Sequence, residues 1–224
     1  MSRKRDHSLT EVLLSGVEFA VDTLTDDKVV ASIPVVGTAF KIVKAADAVR
    51  DRIFVAKLLA FLRTVDSVTP EFRSRLTKAM AQDSAEAENI GTTILMSIDR
   101  ATDLSKPKIM ATLFLAYIDK ALSANQLRRL AHAIDVTFAD DLAFLIETAH
   151  EWPSYETYEM WDKMVGLQAG GFVRTVAGGP KEVNPDGDAY LEPTPLLQTF
   201  VQAYLRGLAI VDAQRLPPAG TSAT

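Results

Sequence analysis

Ser123-Ala124-Asn125-Gln126-Leu127-Arg128-Arg129-Leu130-Ala131-His132-Ala133-Ile134 is the stretch that decides the fold class. Serine followed three residues later by glutamine has capping-box spacing, in which side chains satisfy the orphan backbone N–H groups at a helix start. Apolar residues then recur at Leu127, Leu130, Ala131, Ile134, Phe138, Leu142, Leu145, Ile146 and Ala149. That is the three-and-four spacing of a single helix face. It predicts one long helix that stops before Pro153, because proline restricts the residue ahead of it.

The same grammar repeats toward the N-terminus. Ser8-Leu9-Thr10-Glu11 opens one predicted helix, and Thr69-Pro70-Glu71 opens another with proline in the first turn. Asp83-Ser84-Ala85-Glu86 starts a helix carrying Ile90, Ile94, Leu95 and Ile98. Ser105-Lys106-Pro107 starts one that buries Ile109, Leu113, Phe114, Ala116 and Tyr117. From Pro34 to Val65 the apolar pattern is nearly continuous, and a bend is expected between Ala46 and Arg50. Gly37 inside that run suggests a close helix crossing, since glycine costs about 1 kcal/mol there against alanine.

After Trp152-Pro153 the character changes. A helix over 155–168 ends at Gly170-Gly171, and Phe172 to Val176 reads as a strand. The stretch 177–187, rich in Gly, Pro, Asn and Asp, reads as a loop. Residues 189–192 return as the partner strand, and Thr194-Pro195 starts a last helix. The expected fold is therefore mainly α: a multi-helix bundle with a small C-terminal helix–β-hairpin–helix unit. Its expected parts are a disordered leader (1–7), the bundle (8–152), the hairpin unit (153–212) and a frayed tail (213–224).

The 224 residues are 48% hydrophobic and 24% charged, with a formal net charge of −5. That composition suits a packed core and not a disordered chain. The acidic balance argues against nucleic acid as a partner, because phosphate binding needs clustered Lys and Arg. The basic run Arg3-Lys4-Arg5 is too short to reverse this. No cysteine is present, which removes disulfides, thiolate metal ligands and a Cys nucleophile. No signal-peptide pattern is read, and a cytoplasmic location is expected. The most apolar segment, 29–40, is interrupted by Pro34 and is shorter than the ~20 apolar residues that span a bilayer.

Two resemblances add expectations. Gln168-Ala169-Gly170-Gly171-Phe172-Val173 and Tyr190-Leu191-Glu192-Pro193-Thr194-Pro195-Leu196 resemble the second half of a winged-helix module. The resemblance covers the last third of the chain and places the helix 155–168 at the recognition position. In DNA-binding members that helix carries basic and amide groups, whereas here it carries Glu156, Glu159, Asp162 and one Lys163. It therefore implies a degenerate, winged-helix-like shape used for protein contacts, with Arg174 and Lys181 the features that favour DNA. The middle of the chain, through Ile33-Pro34-Val35-Val36-Gly37-Thr38 and Arg50-Asp51-Arg52-Ile53-Phe54, resembles a group of small helical bacterial proteins. That group has no assigned activity, so the resemblance transfers no functional residue.

Chemistry-bearing residues are sparse. His132 and Asp135 share a helix face, and Asp140, Asp141, Glu147 and His150 follow, so a metal site is conceivable. A solvated polar face is the preferred reading, with no metal, cofactor or catalytic residue assigned. Asn184-Pro185-Asp186-Gly187-Asp188 lacks the length and terminal Glu of a calcium loop. The expected function is a non-enzymatic interaction or regulatory module that binds a protein partner or self-associates. Its expected surface lies around Trp161, Phe172, Arg174 and Tyr190. The alternatives are a membrane-acting effector using the apolar stretch from Val29 to Val49, and a DNA-binding regulator.

Overall fold

The computed structural model describes residues 49–148, 158–177 and 189–213. Along them run α1 (Val49–Asp66), α2 (Pro70–Gln82), α3 (Ser84–Arg100), α4 (Ser105–Ile118), α5 (Ala124–Val136), α6 (Ala139–Glu147) and α7 (Tyr158–Gly166). Strands β1 (Val173–Ala177) and β2 (Ala189–Pro193) and helix α8 (Pro195–Asp212) follow. The described chain is thus mainly helical with one small two-stranded sheet. The readings made for the leader, for the stretch before Val49, for Trp152-Pro153, for the hairpin loop and for the tail lie outside the described residues.

Three of the caps read from the sequence form. Thr69 Oγ1 accepts from the Phe72 amide at 3.3 Å, and Asp83 Oδ1 accepts from the Glu86 amide at 2.9 Å. At α5 the capping box is reciprocal: Ser123 Oγ accepts from the Gln126 amide, and Gln126 Oε1 accepts from the Ser123 amide. Each such cap is worth about 1 kcal/mol.

The long stripe after Ser123 is two helices instead of one. The Thr137 amide and its Oγ1 both donate to the Ala133 carbonyl, at 3.1 and 2.8 Å, and close off α5. Thr137 and Phe138 have extended backbone, and Asp140 and Asp141 in the first turn of α6 favour a fresh start there. Leu142 and Leu145 stay in the core, but Phe138 swings out and is 76% exposed.

Side-chain contacts fix the helix directions. Phe61 and Phe114 have ring centroids 5.9 Å apart, while Lys57 Nζ donates to the Asp99 carbonyl at 2.9 Å. α1 therefore runs parallel to α4 and antiparallel to α3. The N-termini of α1 and α4 and the C-termini of α3 and α5 share one end of the bundle. At the opposite end Tyr117 donates to Glu86 at 2.6 Å, and α2 reaches the C-terminus of α4 through Arg75 and Asp119.

α4 is the central element, packed by α1, α8 and α5, and residues 109–116 are all buried. An element apolar all round has to be enclosed. α4 crosses α8 closely, and a Cβ on Gly207 would collide with the Thr112 backbone oxygen. One cluster of buried side chains runs from Val55 through to Val211. The hairpin unit and the preceding helices thus share a core, although the expected boundary at 152–153 itself lies outside the described residues.

Candidate functional site

The hairpin pairs antiparallel, with Val173 opposite Pro193, Arg174 opposite Glu192 and Val176 opposite Tyr190. Its entry is a tight turn after α7. Gly171 has φ 72, a conformation that favours glycine, and the Phe172 amide returns to the Leu167 carbonyl at 3.1 Å. Thr194 clamps the far side: its amide donates to Phe172 O at 2.9 Å, and its hydroxyl to Gly171 O at 2.7 Å. A Cβ on Gly170 would strike Thr137 Oγ1, so the turn sits directly on the end of α5.

Of the four residues expected at a partner surface, the structure divides two. Phe172, in the turn just ahead of β1, is fully buried, with its ring edge-on to Phe200 of α8 at 5.2 Å. Its ring is core and cannot form part of an outer face in this arrangement. Arg174 points outward and pairs with Glu192, Nη2 to Oε2 at 2.7 Å and Nε to Oε2 at 2.9 Å. Trp161 lies on α7 and Tyr190 on β2; their side chains lie outside the described residues.

His132 and Asp135, three apart on α5, do not act together. His132 is exposed, whereas Asp135 turns inward to a polar cluster at the end of the bundle. Asp135 Oδ1 accepts from Ser97 Oγ at 2.8 Å, its Oδ2 lies 3.6 Å from Arg100 Nη1, and its carbonyl accepts from Lys106 Nζ at 3.0 Å. Lys106 is buried. Burial lowers its pKa, and the charges of Asp103 and Asp135 oppose that shift. Asp103 caps α4. Partial burial would raise its carboxyl, but hydrogen bonds from Ser105 and Lys106 hold it below the usual carboxylate value. Among the described residues no group of three or more His, Asp or Glu is arranged to hold a metal ion. Among them, too, no helix is long and apolar enough to cross a membrane.

Sequence reading passed over two features. The Asp119 side chain is enclosed to 7% exposure between Arg75, at 3.0 Å, and Arg206, at 2.6 Å. No local pattern announces it, because its partners lie 44 and 87 residues away. The second is a set of exposed apolar side chains. Phe138 is joined at the same end of the bundle by Val136 (43% exposed), Leu104 (48%) and Ile53 (54%). The pair Asp140-Asp141 was the available signal for a helix start that would free Phe138 from the stripe.

The fold and these surfaces define a mainly helical chain with an appended hairpin. Comparison with protein-family models, curated proteins and solved structures yields no match.

Proposed function

We propose that this chain is a non-enzymatic interaction or regulatory module, working through protein–protein contacts made by the hairpin. The observation that carries the reading is the way the hairpin is mounted. Phe172, Val173 and Leu191 anchor it from beneath, while Arg174 and its partner Glu192 lie on the opposite face of the strand pair. A rigid base with an outward polar face is the form in which a small sheet presents contacts without losing its own core. The polar groups that would tempt a catalytic reading are engaged in packing: Asp135 with Ser97 and Arg100, and Asp119 with Arg75 and Arg206.

The order α7, β1, β2, α8 supports the finer reading of a winged-helix-like unit. The charge it displays supports a protein partner over DNA. Asp162 on α7 is exposed, Lys163 lies over the Phe144 ring at 5.5 Å, and the Arg174 guanidinium is already matched by Glu192. A phosphate groove would meet little uncompensated positive charge here.

The test is affinity capture with the full chain, the Arg174→Glu variant and a chain in which loop 178–188 is replaced by a short Gly-Ser linker. Loss of the captured partner with both changes, at unchanged thermal stability, is the expected result. Undiminished capture by both variants removes the hairpin reading. Retardation of random DNA at low salt that vanishes with Arg174→Glu would replace it with the nucleic-acid alternative.

A further inference from the structure

The backbone groups of successive residues in an antiparallel strand point to opposite edges. In the hairpin the Thr194 amide donates to Phe172 O, and Pro193, opposite Val173, has no N–H to give. Phe172, Arg174 and Val176 therefore turn their backbone groups toward β2. Val173, Thr175 and Ala177 turn theirs to the outer edge of β1. Val173 is buried, whereas Thr175 and Ala177 are exposed. Among the described residues, no backbone hydrogen bond reaches the amide or carbonyl of either. The far edge of β2 differs: it presents Pro193, without a donor, and Leu191, which already has a partner. β1 thus offers a short open edge with a donor and an acceptor at each of two residues. Sheets commonly guard such an edge with proline, lysine or a bulge. β1, Val-Arg-Thr-Val-Ala in continuous register, has none of these, and its charged residue, Arg174, is matched by Glu192 within the hairpin.

That edge is complementary to itself. When two copies are set antiparallel about a two-fold axis at Val176, Thr175 of each meets Ala177 of the other. Each such pair exchanges both of its N–H···O bonds, which uses every open group of both copies. Val176 then stands opposite its own counterpart, and a β-branched side chain packs well against a neighbouring strand. The two Arg174 positions fall about 13–14 Å apart along the strands, beyond the Debye length at physiological salt, so their like charges meet little repulsion.

We propose that the outer edge of β1 pairs with the same edge of a second copy of this chain, antiparallel through Thr175 and Ala177, so that two hairpins become one continuous sheet. The paired segment is short, which places the dimer among small, transient interfaces. The proposal deepens the hairpin reading by naming a second copy as a partner. It is tested on the purified chain alone, so a monomeric result leaves the capture of a different protein through Arg174 standing, and failed capture leaves the dimer standing.

The chain has no cysteine, which makes a clean test possible. Residues opposed in a non-hydrogen-bonded antiparallel pair have Cα atoms about 4.5 Å apart, within the span of a disulfide. In the full chain, Val176→Cys is equilibrated in a glutathione redox buffer, with Arg174→Cys as the control on the same strand. The expected result is a disulfide-linked dimer favoured about tenfold or more in Val176→Cys over Arg174→Cys, as effective concentration dictates. Equal dimer yields from the two variants overturn the proposal. A second measurement needs no thiol. Ala177→Pro removes an outward N–H and no bond of the hairpin's own ladder. Sedimentation velocity over a concentration series is expected to show a monomer–dimer equilibrium whose Kd rises about tenfold or more in Ala177→Pro, at unchanged circular dichroism. An unsubstituted chain that stays monomeric at its highest soluble concentration overturns the proposal, and so does a dimer that Ala177→Pro leaves unchanged.

Discussion

Burial of Asp141 on α6 raises its carboxyl above the ordinary value of 3.8, and the charges of Asp162 and Asp140 push it the same way, against Lys163. The crowding is direct, since a Cβ on Gly166 of α7 would fall on that carboxylate. The folded state therefore favours the neutral acid. Its stabilising contribution is complete below pH 3.8 and is lost as pH rises through the elevated folded value. Asp141→Asn, permanently neutral and of the same shape, is expected to have the higher Tm at neutral pH. Its Tm should also vary less between about pH 4 and 7. A lower Tm at neutral pH would show that the charged form is accommodated. Gly207 makes a second residue-scale case. Its neighbour is the Thr112 backbone, which cannot rotate away, so Gly207→Ala is expected to cost about 1–3 kcal/mol in urea unfolding. No loss would mean that α8 can slide on α4.

Among the elements, α4 carries its charges the wrong way round for a helix. Lys106 sits in the first turn, where the helix dipole disfavours a cation, and Asp119 caps the last, where it disfavours an anion. Each is held by countercharge: Asp103 in the cap of α4 and Asp135 on α5 near the lysine, Arg75 of α2 and Arg206 of α8 on the aspartate. The central helix is thus keyed to its neighbours at both ends. Asp119→Asn is expected to cost about 1–3 kcal/mol, the range for hydrogen bonds to charged groups, toward the low end because both arginines are exposed. In an Arg75→Ala, Arg206→Ala background the same change should cost little, and a double-mutant cycle by denaturant unfolding measures the difference. Additive losses would show that the triad is not coupled.

For the whole molecule, the continuous core makes the C-terminal elements part of the fold. α8 packs on α4 with Phe200, Ala203, Gly207 and Ile210 buried, and Phe200 meets Phe172 edge-on at 5.2 Å and stacks on Tyr204 at 5.7 Å. A chain ending at residue 188 leaves that side of α4 open. It is expected to bind a hydrophobic dye and to lose cooperative thermal unfolding, as seen by calorimetry. A sharp transition at the original Tm would show that the preceding helices fold alone.

Local rules determined a large part of what is seen. Cap spacing at Thr69, Asp83 and Ser123 marked helix starts, and the Gly170-Gly171 turn with strand-like flanks marked the hairpin, because these depend on neighbours within four residues. The same rules misjudged Phe138, since a stripe of apolar residues looks alike whether a helix runs on or restarts on another axis. They marked α4 as a helix but not as the central one: a buried all-round helix is defined by what surrounds it, and apolar character alone pointed equally to 29–40. Asp119, Lys106 and the exposure of Phe138 belonged to the tertiary structure. Their partners come from distant helices, and long-range electrostatics and burial leave no periodic trace in the chain.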